Sequence, residues 1–113
     1  MKKLFISSLV FLALSSLVIK PAELSIGEKA PSPDTKMVDI SGKSYSFNDV
    51  KKKNGLLVVF SCNTCPWVIK NQQVATEGYS YALSKNVGVI VLNSNEGQRS
   101  DADSKEAMTQ YAK

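Results

Sequence analysis

Leu56-Leu57-Val58-Val59-Phe60-Ser61-Cys62-Asn63-Thr64-Cys65-Pro66-Trp67 joins an uninterrupted apolar run to the only two cysteines of the chain. A continuous run of this kind, rather than an alternating one, fits a strand covered on both faces, as in a parallel sheet flanked by helices. Downstream, Val68, Ala75, Tyr79, Ala82 and Leu83 recur at spacings that place them on one helical face. Gly78 weakens a helix by roughly 1 kcal/mol relative to alanine, which predicts a bend or frayed end there. Asn86 is a candidate C-cap. Val87-Gly88-Val89-Ile90-Val91-Leu92 then reads as a second buried strand. Strand, helix and strand make a βαβ unit with parallel strands and a right-handed crossover.

Working outward, Met37-Val38-Asp39-Ile40 and Tyr45-Ser46-Phe47 flank Ser41-Gly42-Lys43, a β-hairpin pattern in which glycine supplies the turn. Asn48 or Asp49 is expected to cap a short helical turn running to Lys53 and ended by Asn54-Gly55. Pro21 to Asp34 carries three prolines and reads as an extended lead-in. Beyond the second strand, residues 93–102 form a polar loop. Asp103 or Ser104 is expected to cap a last helix with Ala107, Met108 and Tyr111 on one face. The fold class expected is α/β, an N-terminal β-hairpin plus a βαβ unit.

Met1-Lys2-Lys3 is a positive start, and Leu4 to Ile19 is apolar apart from its serines. That stretch is shorter than the ~20 residues of a spanning helix. Residues 1–22 therefore read as a secretory signal, with an uncleaved N-terminal anchor as the alternative. Ala13-Leu14-Ser15 places small residues where a signal peptidase inspects the chain, and cleavage nearer Ala22 is the other option. The domain, residues 23–113, is expected in the periplasm or outside the cell, where a cysteine pair can be held oxidised.

The formal charge of +4 is concentrated in that leader. Without Lys2, Lys3 and Lys20 the balance is 11 basic against 10 acidic residues. The remaining lysines are scattered without interleaved aromatics, which argues against a nucleic-acid surface. Lys51-Lys52-Lys53 reads as a solvated face. Histidine is absent, so the commonest metal ligand and the usual general base are missing. Two cysteines supply only half of a zinc site, and no metal or cofactor is expected.

The cysteine pair carries the chemistry. A helix N-terminus presents unpaired N–H groups and partial positive charge, and both favour thiolate over thiol. Cys-x-x-Cys pairs at such positions ionise more readily than free cysteine. Cys62, nearer the strand, is expected to attack a substrate disulfide, and Cys65, one turn on, to resolve the mixed disulfide. Thr64 is a candidate N-cap, and Pro66 suits a first helical turn. A structural disulfide is the competing reading, although the loop it closes is too short to add much stability.

At these residues the chain resembles the thioredoxin-like superfamily, in its peroxiredoxin-like branch of redoxin and alkyl-hydroperoxide-reductase-type domains. Gly27 to Pro31, Asp39 to Lys43 and Ser46 to Asp49 are similar to that branch's N-terminal hairpin. Val58 to Trp67 resembles its active-site segment. Val89 to Glu96, with Asp103-Ser104 and Glu106 to Met108, resembles the next strand, loop and helix. The resemblance implies an active-site turn of Cys62, Asn63, Thr64, Cys65, Pro66 and Trp67.

The resemblance divides over the sulfurs. The thioredoxin pattern puts the nucleophile on Cys62. The peroxiredoxin pattern, a peroxidatic cysteine followed by proline, fits Cys65-Pro66. That pattern also has a threonine three residues earlier and a proline seven earlier, where this chain has Cys62 and Val58. Leu56 occupies the position of the thioredoxin buried acid, and Ser61 that of the tryptophan before the first cysteine. The superfamily fold also continues with further strands and a final helix, so the domain is expected to be C-terminally incomplete.

The activity expected is thiol–disulfide exchange with protein thiols or disulfides, or with a thioredoxin-type reductant. The alternatives are a peroxide-consuming site with Cys65 peroxidatic and a non-catalytic interaction module. Membrane contact is expected only through an uncleaved leader.

Overall fold

The apolar run and its partner pair in parallel. In the computed structural model, which describes residues 23–112, strand β3 (Leu56–Ser61) lies in register beside β4 (Gly88–Asn93), from Leu56 opposite Gly88 to Ser61 opposite Asn93. Upstream, β1 (Met37–Val38) and β2 (Ser44–Tyr45) form a separate antiparallel pair. Helices α1 (Phe47–Val50), α2 (Pro66–Lys70), α3 (Gln72–Ser84) and α4 (Lys105–Tyr111) and a 3-10 turn (Glu96–Gln98) complete the order. The described residues are thus mixed α/β, with two two-stranded sheets and four α-helices. Residues 1–22, where a secretory signal or N-terminal anchor is expected, lie outside the described residues. Among those described, no helix is long and apolar enough to cross a membrane.

The hairpin turn is organised by Asp39. Its Oδ1 accepts from the Ser41 N–H (2.9 Å), the Ser41 hydroxyl (2.7 Å) and the Lys43 N–H (2.9 Å). Gly42 takes φ 86°, a left-handed conformation that favours glycine. The helical turn expected from Asn48 or Asp49 to Lys53 starts earlier and ends sooner. Ser46, not Asn48 or Asp49, is its cap: the Ser46 hydroxyl accepts from the Asp49 N–H, and the Asp49 carboxylate accepts from the Ser46 N–H in return. This reciprocal box satisfies two of the N–H groups a helix start leaves unpaired. The Lys36 ammonium also pairs with Asp49.

Between β3 and β4 the helix is broken, but at Asn71 rather than Gly78. Asn71 ends α2 and caps α3, its side chain donating back to the Trp67 carbonyl (2.8 Å). A side chain that bonds its own backbone offers the chain an alternative to helix continuation, whereas Gly78 lies inside α3 and leaves the backbone bonds in place. Val68, Ala75, Tyr79 and Ala82 are the half-buried positions of these helices, as their spacing predicts, while Leu83 is exposed. Asn86 ends α3 one position beyond the cap residue Lys85, with φ 60°. The Asn86 N–H reaches the Leu83 carbonyl and the Val87 N–H the Ala82 carbonyl, the paired bonds of a Schellman turn. Asn54 fastens that turn by donating from its side chain to the Lys85 carbonyl (2.7 Å).

The expectation that both strands are covered on both faces is corrected. No apolar side chain among the described residues is fully buried. Leu57 and Val91 share one face and remain exposed, and Phe60 on the other face is 69% exposed. The run is apolar enough for a central strand, but α1 and α3 pack mainly against β4, and two strands are too narrow to be closed over by them. An open groove of about 320 Å³ between the hairpin and β4 is lined by apolar residues including Met37, Tyr45 and Ile90.

Where α1 meets β4 the approach is close. A Cβ on Gly88 would lie 2.1 Å from the Val50 carbonyl oxygen and 3.1 Å from Leu56 Cδ1. The obstacle is backbone, so Gly88→Ala is expected to destabilise by about 1–3 kcal/mol. A urea midpoint equal to the parent's would show that α1 does not rest on β4. Asp49 is held down to about 2 from 3.8, first by the Lys36 hydrogen bond and then by Ser46. Its contribution to stability is therefore complete above pH 4 and is lost as the pH falls toward 2. Asp49→Asn should flatten that acid limb of thermal stability.

Candidate functional site

The site sits at the C-terminal end of β3. Cys62 is the first residue past the strand, Asn63 and Thr64 form the bend, and Cys65 is the N-cap of α2. Both cysteines are half-buried and not joined to each other, and they lie 4.1 Å apart. Pro66 occupies the first helical position, where its missing N–H costs nothing and its fixed φ suits the helix. Thr64 is exposed and does not cap; the cap position falls to Cys65. Trp67 is 70% exposed, and the Lys70 ammonium stands 5.3 Å from its ring centroid.

The two sulfurs have different surroundings. The helix begins at Pro66; the N–H groups of its first turn serve Cys65, while the N–H of Cys65 itself serves Cys62. The N–H groups of Val68 and Trp67 turn toward the Cys65 sulfur and hold its thiol below the usual value, without a hydrogen bond of normal geometry. Cys62 is pushed the other way, first by burial, then by Cys65, with the Asp103 charge adding to the effect. The sequence reading gave both cysteines the benefit of the helix start; the bend between them separates their environments.

Asp103 is the residue that reading missed. The sequence offers it as a helix cap and as part of the stretch that resembles a redoxin loop and helix, with no role at the cysteines. Ser104 fills the cap by accepting from the Ala107 N–H at 3.2 Å. Asp103 is instead 3% exposed, the only buried charged side chain among the described residues. Its Oδ1 accepts from the Asn63 N–H (2.6 Å) and the Asn93 side chain (2.7 Å), and its Oδ2 from the Asn95 side chain (2.6 Å). The Asn63 side chain adds a bond to the Ala102 carbonyl at 3.0 Å. The Asn63 N–H, ahead of the Asn93, Asn95 and Thr64 side chains, keeps the Asp103 carboxyl below its usual value against the cost of burial. The available signal was the density of Asn and Asp just past β4, because sites in parallel α/β sheets gather at the carboxyl ends of the strands.

Among the described residues, no group of three or more His, Cys, Asp or Glu is placed to hold a metal ion. The arrangement offers a dithiol with one sulfur disposed to ionise and the other to keep its proton. No protein-family model matches the chain, and neither a curated protein nor a solved structure matches it.

The difference between the sulfurs is directly measurable. Iodoacetamide attacks thiolates, so the lower-lying thiol reacts at lower pH. Peptide mapping across pH 5–10 should show Cys65 alkylated before Cys62. The reverse order would contradict the environments described above.

Proposed function

We propose that residues 23–113 form a thiol–disulfide oxidoreductase domain of the thioredoxin-like class, working outside the cytoplasm behind the leader of residues 1–22. The observation that carries this is the close Cys62/Cys65 pair, 4.1 Å apart on the bend between a buried carboxylate network and a helix start. The parallel β3–α2/α3–β4 unit supports it, because it presents the pair at the carboxyl end of a strand.

In the reaction, a thiolate of the pair attacks one sulfur of a substrate disulfide. The substrate S–S bond breaks, a mixed disulfide forms and the departing thiolate takes a proton from water. The second cysteine gives up its proton and attacks the first, releasing the other substrate thiol. The chain is left with a Cys62–Cys65 disulfide and the substrate with two thiols. Chain direction favours Cys62 as the attacking sulfur, but the Val68 and Trp67 N–H groups favour Cys65. We take Cys65 as the attacker and Cys62 as the resolver.

The same thiolate on Cys65 favours a second reading, peroxide reduction. The Cys65 thiolate would attack one peroxide oxygen, the O–O bond breaking to leave a sulfenic acid and, after protonation, water or an alcohol. Cys62 would then condense with the sulfenic acid to form the disulfide and release water. A sulfenic-acid probe labelling Cys65, with peroxide consumption dependent on it, would select this reading over disulfide exchange.

Removing the resolver should trap the first intermediate. Cys62→Ser is expected to accumulate mixed disulfides with protein partners through Cys65, and Cys65→Ser is not. The opposite pattern would return the attack to Cys62. If neither variant traps a partner and the parent chain reduces no disulfide substrate, the exchange reading falls and a non-catalytic module takes its place.

A further inference from the structure

Asp103 is placed where a carboxylate alters chemistry as well as holding the chain. Its bond to the Asn63 N–H spans 40 residues of sequence and fixes the residue that directly follows Cys62. The parallel register sets Ser61 level with Asn93, so the cysteine bend and the loop after β4 start side by side. That loop is folded back by the bonds of the Asp103 N–H to the Gln98 carbonyl (3.0 Å) and of the Ser104 N–H to the Asp101 carbonyl (2.9 Å). A neutral acceptor could serve the Asn63 N–H equally well. A buried charge beside a thiol, by contrast, costs the neighbouring thiolate more than the neighbouring thiol.

We propose that Asp103 is a positioning residue that holds the Cys62–Cys65 bend and, as a fixed negative charge on its Cys62 side, reserves the attacking role for Cys65. This rests on the thiol-exchange reading of the pair. Both carboxylate oxygens already accept hydrogen bonds, and the charge is stabilised by Asn63, Asn93 and Asn95. Asp103 is therefore a standing charge rather than a proton carrier. The titratable groups that act on Cys62 are Cys65, through hydrogen bonding and charge, and Asp103, through charge. On the other side of the bend, Cys65 meets the Val68 and Trp67 N–H groups. Asp103 thus adds its charge to the burial and the Cys65 neighbour that already disfavour the Cys62 thiolate, against the one Cys65 N–H that favours it. Two N–H groups favour the thiolate of Cys65.

The test reads alkylation of each cysteine against pH in the reduced full chain. Asp103→Asn removes the charge, and Asp103→Glu and Asn95→Ala keep it. Loss of the charge should move the Cys62 profile to lower pH and leave Cys65 nearly in place. The reactivity ratio between them should shrink on the order of threefold to tenfold, since tenfold is one unit of pKa. Asp103→Glu and Asn95→Ala should each retain most of the ratio, which a purely structural anchor would not discriminate. Equal shifts at both cysteines in Asp103→Asn, or an unchanged ratio with the native circular dichroism, would overturn the proposal. If Asp103→Asn does not fold, carbon NMR of the parent chain decides. The Asp103 carboxyl resonance should respond at the Cys62 titration midpoint, and a response at that of Cys65, or at neither, overturns it. Iodoacetamide involves no disulfide substrate, so failure of the exchange activity would leave this ordering of the sulfurs intact and separately readable.

Discussion

The parallel register of β3 and β4 is the constraint from which the site follows. Six consecutive pairs run from Leu56–Gly88 to Ser61–Asn93, so both strands end at the same level. The chain leaves one strand through Cys62 and the other through Asn93. A slip by one residue would turn every side chain of β4 to the opposite face. Asn93 would then face away from the bend, and one of the three donors would be withdrawn from Asp103. The packing of α1 on β4 opposes such a slip, because the Val50 carbonyl leaves room only for a residue without a side chain.

The carboxylate network compensates for what the apolar contacts do not supply. With no apolar side chain fully buried, little of the described chain is fixed by burial alone. Its tighter points are polar: the Ser46–Asp49 box, the Asp39 turn, the Asn86 Schellman turn fastened by Asn54, and Asp103. The first three each close a short segment or join neighbouring ones. Asp103, with the Asn63 side-chain bond to the Ala102 carbonyl beside it, binds the cysteine bend to the loop after β4. A buried carboxylate is costly unless its oxygens are satisfied, and three donors at 2.6–2.7 Å satisfy it.

Much of the scaffold was legible in the chain because its signals are local. The apolar runs around Val58 and Ile90, the glycine turn at Gly42, and the helical face of Val68, Ala75, Tyr79 and Ala82 each depend on residues within a few positions. The cysteine pair was legible for the same reason. Capping was read less well. Ser46 outcompeted Asn48 and Asp49 because its hydroxyl and the Asp49 carboxylate satisfy each other. Asn71, not Gly78, breaks the helix, its side chain joining its own N–H on the Trp67 carbonyl. Asp103 was not legible as part of the site. Its partner Asn63 lies 40 residues away, and only the paired strands bring the two together.

Trp67 gives the site an optical property. It is the only tryptophan in the chain, it stands on the first turn of α2 next to Pro66, and its indole is open to solvent with the Lys70 ammonium above the ring. Any change in charge or bonding at Cys65 occurs at the cap of that same turn. Tryptophan emission, excited apart from that of the four tyrosines, therefore arises on the turn that Cys65 caps, and its intensity is expected to respond to a change at that sulfur without an added label.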